Sequence, residues 1–250
     1  MSEADGPQDE DQTDHQSTLD SDHAYGLAEL SDAVRYRRYL FELIDPHCGS
    51  SVLEVGAGMG DFADLFGSDK TLIVSDSDPR CLAQLEKTFR GRGNVSVRHL
   101  DLLSDNQIEA RVDTGLAINV FEHIEDDVRA LQAVGRQIRP GGSIIILVPA
   151  YPSLYGAFDR AVGHVRRYTP ASLRTSVTEA GLTVEILRPI NFIGGIAWWF
   201  AVRLGKRTRP HPWLIRIYDR LLVPIVRILE RRWTPPFGQS ILCVARTPDP

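Results

Sequence analysis

Cysteine is scarce in this sequence, and the few cysteines lie far apart. The 250 residues contain three, Cys48, Cys81 and Cys243. Their odd number and wide spacing exclude a disulfide framework, and they lack the close pairs from which proteins build zinc sites. The sequence therefore predicts reduced thiols and no metal site.

Lysine and arginine are absent from the first 23 residues, which hold eight acidic residues and almost no large apolar ones. Such a segment cannot bury enough surface to offset the entropy lost on folding. We predict a disordered acidic tail over 1–23 and one folded domain over 24–250. Without the tail, 25 acidic residues face 28 basic ones, and the net charge changes from -5 to +3. The tail also lacks the basic start and apolar core of a secretory signal, which predicts a cytoplasmic protein.

An apolar run long enough to cross a bilayer is also missing. The longest candidate, INFIGGIAWWFAVRL over 190–204, falls short of the roughly 20 residues that a membrane-spanning helix needs. The other apolar runs are shorter still and alternate with helix-like segments. This alternation is typical of a doubly wound α/β fold, in which helices cover both faces of a parallel sheet.

The predicted elements follow from the spacing of apolar residues and from helix-stop signals. The helix-like segments are 32–44, 61–67, 79–90, 125–138 and 170–180. The strand-like runs are SVLEV, TLIVSD, VSVRHL, TGLAINV, SIIILVP, LTVEILRPI and SILCVAR.

Three alternating glycines, Gly56, Gly58 and Gly60, follow the first predicted strand. Glycine is needed where φ is positive or where a ligand approaches the backbone closely, and the carboxyl end of this strand is the usual cofactor crevice of such folds. The dinucleotide fingerprint has the spacing G-x-G-x-x-G, whereas here the spacing is G-x-G-x-G and Asp61 follows. NAD is therefore disfavoured as the ligand.

Acidic residues follow the next two strands. Asp76 comes 16 residues after Gly60 and can accept hydrogen bonds from a pair of ribose hydroxyls, while Asp101 can meet an adenine amino group. Either carboxylate alone could be an ordinary cap at the end of a strand. Their placement on successive strand ends favours a nucleoside ligand.

Four motifs in order, VLEVGAGMG, IVSDSDP, HLDLL and the long segment from INVFEHIEDD to LVPA, resemble those of the class I S-adenosylmethionine-dependent methyltransferases. The likeness covers about residues 33–192. It implies a Rossmann-like sheet of seven strands, mostly parallel with a reversed last strand, and S-adenosyl-L-methionine as cofactor. It also places 190–236 as a helical insertion between strands six and seven.

The same resemblance assigns cofactor contacts residue by residue. The methionine part would be surrounded by Glu54, Gly56, Gly58 and Gly60, the ribose bound by Asp76, the adenine by Asp101 and Leu102, and the floor formed by Asn119.

Two further stretches, VRYRRYLFELI and LYGAFDRAVGHVRRYTPASL, resemble a bacterial subgroup of this family that is often found beside or fused to glycosyltransferases. That likeness implies that Tyr36 and Arg38 close over the cofactor.

Methyl transfer from a sulfonium is an in-line displacement, and a hydroxyl nucleophile must also lose a proton. Histidine commonly accepts such a proton near neutral pH, and His123 and His164 follow the fourth and fifth strands. Each could instead pack or cap a helix start, and Asp159 and Tyr155 are further candidates on the acceptor side.

We expect O-methylation of a small-molecule or lipid-like acceptor. The fourth strand ends in Asn-Val-Phe-Glu, unlike the Asp/Asn-Pro-Pro-aromatic motif of enzymes that methylate adenine or glutamine amides. Nucleic acid is therefore disfavoured. The alternatives are an RNA or protein methyltransferase, and a non-catalytic cofactor-binding or membrane-associated module.

The segment 197–236 is strongly basic, with nine basic residues, two acidic ones and four tryptophans. Within 212–233, one helical stripe is apolar and another carries arginines; the apolar stripe consists of Leu214, Ile217, Leu221, Ile225 and Ile228. This pattern predicts an amphipathic helix, kinked at Pro224. The stripe could pack on the sheet as a substrate lid, the segment could lie on a membrane surface, or the arginines could bind an anionic substrate.

Overall fold

A computed structural model describes residues 33–104, 111–204 and 212–249, so the predicted tail over 1–23 lies outside the described residues. The described chain folds around one seven-stranded sheet of order β3-β2-β1-β4-β5-β7-β6. All neighbours pair in parallel except β7, which runs antiparallel to both β5 and β6. The predicted Rossmann-like sheet with its reversed last strand is confirmed. The strands are β1 Ser51–Val55, β2 Thr71–Asp76, β3 Val95–His99, β4 Val112–Ile118, β5 Ile138–Pro149, β6 Thr183–Ile190 and β7 Ser240–Arg246.

Helices cover both faces of this sheet. They are α1 Val34–Ile44, α2 Pro79–Thr88, α3 Asp127–Arg136, α4 Ala157–Ala161, α5 Pro170–Glu179, α6 Phe192–Leu204, α7 Pro212–Ile217 and α8 Val223–Glu230, with a π-helical stretch over Tyr218–Leu222 joining the last two. Alternate residues of β5 serve two cores, as the period of a strand requires. Ile144 and Ile146 pack with the side of α3 and α5, whereas Ile145 and Leu147 pack with the side of α1 and α8.

The predicted helix over 61–67 is wrong. Only a single 3-10 turn forms there, over Ala63–Leu65. Little room is left between the glycine loop and Gly67, and Phe62 and Phe66 turn inward to pack against Phe41 of α1. These aromatic contacts determine the path of the segment in place of a regular helix.

The insertion between β6 and β7 is helical, as predicted, but its apolar stripe does not pack on the sheet. Leu221 and Ile228 are 62% and 69% exposed, and the rest of the stripe is also exposed. The buried side of the same segment carries Val223 and Val226 together with the carboxylates of Asp219 and Glu230. Inward packing of the stripe is therefore wrong, because those two carboxylates accept hydrogen bonds from other parts of the fold and hold the segment in the opposite orientation.

The predicted helix over 212–233 is interrupted by a π-helical stretch, and the kink at Pro224 stays a prediction. The π-helical stretch Tyr218–Leu222 comes before Pro224, which lies in the first turn of α8, where a proline needs no helical N–H partner. Among the described helices, none combines the length and apolar character needed to cross a bilayer.

Candidate active site

The glycine loop joins β1 to the 3-10 turn at the carboxyl edge of the sheet. Gly56, Gly58 and Gly60 have φ angles of 64°, 55° and 84°, a region that other residues enter at a cost. A Cβ on Gly56 would lie 2.8 Å from a methyl carbon of Val120. The loop therefore requires glycine at these positions, and it packs directly against the segment that follows β4.

Asp76 anchors this loop from the end of β2. Its two carboxylate oxygens accept the amides of Gly58 and Asp78, each at 2.9 Å. Asp76 therefore caps the end of its strand, which is one of the two roles that the sequence left open. Each of its oxygens keeps a second lone pair that can accept a hydrogen bond from a ribose hydroxyl. Asp101 likewise accepts the amide of Leu103 at 2.9 Å, beside the buried Leu102.

Glu54 is the titratable group of β1 that faces the loop. It is buried, and its Oε2 has no hydrogen-bond partner among the described residues. Burial raises the pKa of this carboxyl to about 8, and Asp61 and Asp76 add to the effect, against one hydrogen bond from the amide of Ala63. An orphaned buried carboxylate beside a bare backbone fits a ligand that carries an ammonium group, as the amino acid part of S-adenosylmethionine does.

Helix α1 lies over the same edge. Burial raises the pKa of Tyr36 to about 12, although its hydroxyl bonds to Ser240 and Asn191. Arg38 is exposed, whereas its neighbour Arg37 donates to the carboxylate of Asp61 at 2.9 Å. Arg37, which the sequence did not single out, fastens α1 to the end of the glycine loop, and closure by Tyr36 and Arg38 stays a prediction.

Three residues at the ends of β4, β5 and β6 have left-handed backbone conformations. Asn119, Tyr151 and Asn191 have φ angles of 53°, 58° and 61°. Asparagine tolerates this region, but an aromatic residue there is strained. The backbone therefore turns sharply at the carboxyl ends of these three strands. Ligands of doubly wound folds bind at this edge of the sheet.

The two candidate histidines lie against each other. His123 belongs to the 3-10 turn after β4 and His164 to the loop after α4, yet their ring centroids are 4.7 Å apart in an edge-to-face arrangement. The two segments are joined by a hydrogen bond of 2.8 Å from the amide of Val165 to the carbonyl of Glu122. The glycine loop contacts Val120, so the turn that carries His123 lies next to the segment on which the loop packs.

A buried carboxylate orients His164. Asp159 of α4 accepts a hydrogen bond from Nδ1 of His164 at 2.8 Å and one from Nε of Arg167 at 2.7 Å. Burial alone would raise the pKa of Asp159, but the hydrogen bonds from these two residues outweigh burial and lower it. The carboxylate is therefore ionised, and it favours the tautomer of His164 in which Nδ1 carries the proton.

Aromatic side chains border this polar cluster. Phe158 lies edge-on to Trp198 of the insertion, with centroids 5.2 Å apart, and the guanidinium carbon of Arg167 lies 5.3 Å from the centre of a Trp198 ring. The indole N–H of Trp198 donates to the carbonyl of Leu154 at 3.1 Å. Helix α6 thus contributes an aromatic wall to the acceptor side, beside His164.

Comparison with known proteins agrees with this geometry. A family model described as a methyltransferase domain matches residues 53–144, which run from β1 through the glycine loop into β5. A probable S-adenosylmethionine-dependent methyltransferase from Mycolicibacterium smegmatis is 27% identical over 164 residues, which are 64% of this chain. These likenesses support a class I S-adenosylmethionine-dependent methyltransferase.

The chain spans 63% of the length of this mycobacterial relative. Among solved structures, a chain in the complex of the Haloferax volcanii Trm112 methyltransferase activator with a methyltransferase superposes with a TM-score of 0.63 at 17% identity, over 94% of this chain and 97% of that one. The [4+2]-cyclase SpnF gives a TM-score of 0.54 at 16% identity, over 86% and 81%. At such identities the structural likeness concerns the fold alone.

Glu122, which comes directly before His123, could not be predicted as a site residue from the sequence. In the folded chain its side chain is completely buried, and Oε1 lies 3.8 Å from Nε2 of His164. The adjacency Glu-His was visible in the sequence, but its importance depends on His164, some 40 residues further along. Only the folded chain brings the three together.

Proposed function

We propose that this methyltransferase binds S-adenosyl-L-methionine in the glycine-loop crevice and methylates a hydroxyl oxygen of a small-molecule or lipid-like acceptor. The observation that carries the proposal is the hydrogen bond between the buried Asp159 and the partly buried His164, beside the segment that packs on the glycine loop. When bound, the cofactor supplies a methyl group that its sulfonium has already activated. The chain must then align the acceptor and take up its proton.

His164 is suited to take up that proton. Because Nδ1 donates to Asp159, Nε2 keeps a lone pair that can accept a proton, and the ionised Asp159 stabilises the imidazolium that results. The acceptor oxygen forms its bond to the methyl carbon as the carbon–sulfur bond breaks, and the electron pair of that bond stays on sulfur. The hydroxyl proton passes to Nε2.

The surroundings of the cluster favour an acceptor with apolar parts. Phe158 and Trp198 offer an aromatic wall next to His164, and Trp198 comes from the insertion whose outer surface is apolar. A hydroxylated lipid or a similar amphiphile would present its polar group to the histidines and its apolar part to this wall.

We also propose that the insertion rests on an anionic membrane surface. The exposed stripe of Leu214, Ile217, Leu221, Ile225 and Ile228 is flanked by the exposed tryptophans 213 and 233 and by exposed arginines at 216, 220, 231 and 232. An apolar stripe of this kind inserts at the boundary between headgroups and acyl chains, and arginines beside it attract anionic lipids. A membrane-bound acceptor would then reach the site from the side of the insertion.

Calorimetric titration with S-adenosylhomocysteine tests the cofactor site. We expect binding at micromolar affinity or tighter, and we expect Asp76→Ala to weaken it at least about tenfold, because the variant loses the anchor of Gly58 together with the ribose contact. Asp78→Ala is the matched control, since it removes a nearby carboxylate that caps α2. The affinity of Asp78→Ala for S-adenosylhomocysteine should stay within about a factor of two of the wild-type value.

Transfer itself is tested with methyl-labelled cofactor and a panel of hydroxylated and amine-bearing amphiphiles. Label on a hydroxyl oxygen, lost in His164→Ala, is the expected result. Label on nitrogen would contradict O-methylation. Wild-type protein that does not bind S-adenosylhomocysteine would refute the cofactor assignment, and binding without transfer to any acceptor would favour the non-catalytic module.

A further inference from the structure

Glu122, His123 and His164 form a compact group of ligand atoms. One carboxylate oxygen and one nitrogen from each imidazole all lie within 4.8 Å of one another. They come from two segments, the 3-10 turn after β4 and the loop after α4, which are joined by the hydrogen bond from the amide of Val165 to the carbonyl of Glu122. Side chains this near one another can supply ligands to one cation after a small inward rotation of their ends.

Glu122 is the member of this group that most needs a partner. Its side chain is fully buried, and neither carboxylate oxygen accepts a hydrogen bond from another of the described residues. The nearest buried guanidinium, that of Arg167, donates its Nε to Asp159 at 2.7 Å. A buried carboxylate without hydrogen bonds is costly, and proteins that keep one usually pair it with a cation or leave it protonated.

His164 has the support that metal-binding histidines commonly have. Such a histidine donates its second ring N–H to a carboxylate or carbonyl, which fixes the ring orientation and makes the other nitrogen a better ligand. Here Asp159 accepts from Nδ1 at 2.8 Å, and Nε2 points toward Glu122, 3.8 Å from Oε1. The nitrogen left for a cation is thus the one that faces the rest of the group.

We propose that Glu122, His123 and His164 bind one divalent transition-metal ion, and that this ion binds the acceptor's oxygen. Two imidazoles and one carboxylate are a common ligand set for Zn²⁺ and for other first-row divalent ions, and three protein ligands leave a position open. Mg²⁺ and Ca²⁺ fit less well, because they favour oxygen ligands. The acceptor role rests on the proposed function, whereas the metal site stands on the three side chains alone.

A bound cation changes how the hydroxyl loses its proton. The cation lowers the pKa of a hydroxyl that it binds, so the proton can leave to water, and Nε2 of His164 serves as a ligand in place of a proton acceptor. The oxygen then forms its bond to the methyl carbon as the carbon–sulfur bond breaks, with the electron pair on sulfur. The preferred acceptor becomes one whose oxygen can reach the metal.

Metal binding is measured directly on the full chain after treatment with a chelator and dialysis. Titration with ZnCl₂ should show one ion per chain at micromolar affinity or tighter, and CoCl₂ should give visible absorption bands typical of nitrogen and oxygen ligands. Glu122→Gln preserves the shape of the side chain and should weaken binding at least about tenfold; His123→Ala should do the same. His47→Ala is the control, because His47 lies before β1, at the opposite edge of the sheet, and its variant should bind like wild type.

Three results would overturn the metal site: no stoichiometric ion in the wild type, unchanged affinity in both Glu122→Gln and His123→Ala, or cobalt absorption typical of a thiolate ligand. Circular dichroism of each variant shows whether it has folded, and the isosteric Glu122→Gln serves if His123→Ala does not fold. Titration of the same stripped protein with S-adenosylhomocysteine separates the two proposals. If the protein binds the cofactor but no metal, the methyltransferase proposal stands and the metal site is refuted. If it binds metal but no cofactor, the metal site stands and the methyltransferase proposal is refuted.

Discussion

At the scale of single residues, the site contains four buried carboxylates that have two different roles. Asp76 and Asp159 are bonded on both oxygens and hold other groups in place. Glu54 and Glu122 are buried with oxygens that have no partner among the described residues, and burial raises the pKa of each to about 8. The first two position the site, while the other two are free to bind a cation.

Glu54 should make cofactor binding depend on pH. Below about pH 8 its carboxyl is protonated in the free protein, and an ammonium group binds the ionised form, so binding must release a proton. We expect affinity for S-adenosylhomocysteine to fall up to about tenfold for each pH unit below 8, and to level off above it. Calorimetry in two buffers of different ionisation enthalpy measures the proton release.

Two variants control this prediction. Glu54→Gln cannot ionise, so its affinity should be lower and nearly independent of pH between about 6 and 8. Glu42→Gln removes a half-exposed carboxylate of α1 that pairs with Arg227, and it should keep the wild-type slope. A slope that persists in Glu54→Gln would show that another group, such as the nearby Asp61 or Asp76, is responsible.

Residue-scale prediction from sequence worked where the requirement is local. Gly56, Gly58 and Gly60 could be predicted because positive φ is a property of single backbone positions, and the structure gives all three positive φ. The pairing of Asp159 with His164 and the proximity of Glu122 to both could not be predicted, because they depend on how two loops meet. A sequence pattern records which residue types are present, and only the fold brings distant ones together.

At the scale of elements, the insertion is tied to α1 by a hydrogen-bonded cap. The first residues of α1 have no side-chain cap of their own; instead Asp219 of the π-helical stretch accepts the amides of Arg35 and Tyr36 at 3.2 and 2.9 Å. A carboxylate at a helix start satisfies free N–H groups and interacts well with the helix dipole. The insertion therefore helps to hold the helix whose Arg37 is bonded to the end of the glycine loop.

Asp219→Ala should destabilise the protein measurably. Loss of the cap should lower the free energy of unfolding by about 1–2 kcal/mol, because two amides at the start of α1 lose their acceptor. In a chain of this size the midpoint of thermal unfolding should fall by about 3–6 °C. Differential scanning calorimetry measures both quantities.

Asp64→Ala is the comparison for this variant. It also removes an acidic side chain that bonds to another segment, but Asp64 is exposed, and within the described part of the chain it pairs with Arg92, at 3.1 Å. Exposed ion pairs contribute about 0–1 kcal/mol. Equal destabilisation by the two substitutions would show that Asp219 has no special capping role.

The sequence predicted which segments form helices and strands, but it did not predict which face of the insertion is buried. Seven strands and the helices between them follow from apolar periodicity, and all seven strands form. The amphipathic pattern of 212–233 gave two faces without saying which one the fold would bury. Asp219 and Glu230 determine which face of the segment is buried. Asp219 accepts a hydrogen bond from α1 and Glu230 accepts one from the start of α6, so the side opposite the apolar stripe faces inward.

At the scale of the whole molecule, the exposed stripe makes one side of the protein unusually apolar and basic. Solvent-exposed apolar patches of this kind mark contact surfaces. We expect the full chain to sediment with vesicles that contain anionic phosphatidylglycerol, and much less with vesicles of phosphatidylcholine alone. Binding should weaken at high salt, because salt screens the arginines.

Two charges placed in the stripe should abolish this binding. The double variant Leu221→Glu, Ile228→Glu removes apolar contact and repels anionic lipid, so its sedimentation should fall to the level seen without vesicles. Leu103→Glu, an equally drastic change at an exposed leucine outside the insertion, should leave sedimentation unchanged. If the double variant sediments like wild type, the stripe is not the membrane contact.

The reversed direction of β7 has a consequence for how such a protein can change. Ile190 ends β6 and Ser240 begins β7, and the two are directly paired, so the whole insertion leaves and re-enters the sheet at one point. Loops with neighbouring ends can be exchanged or lengthened at small entropic cost. New acceptor preferences could therefore arise by replacing this one segment, while the cofactor half of the molecule, built from β1 to β4, is left as it is.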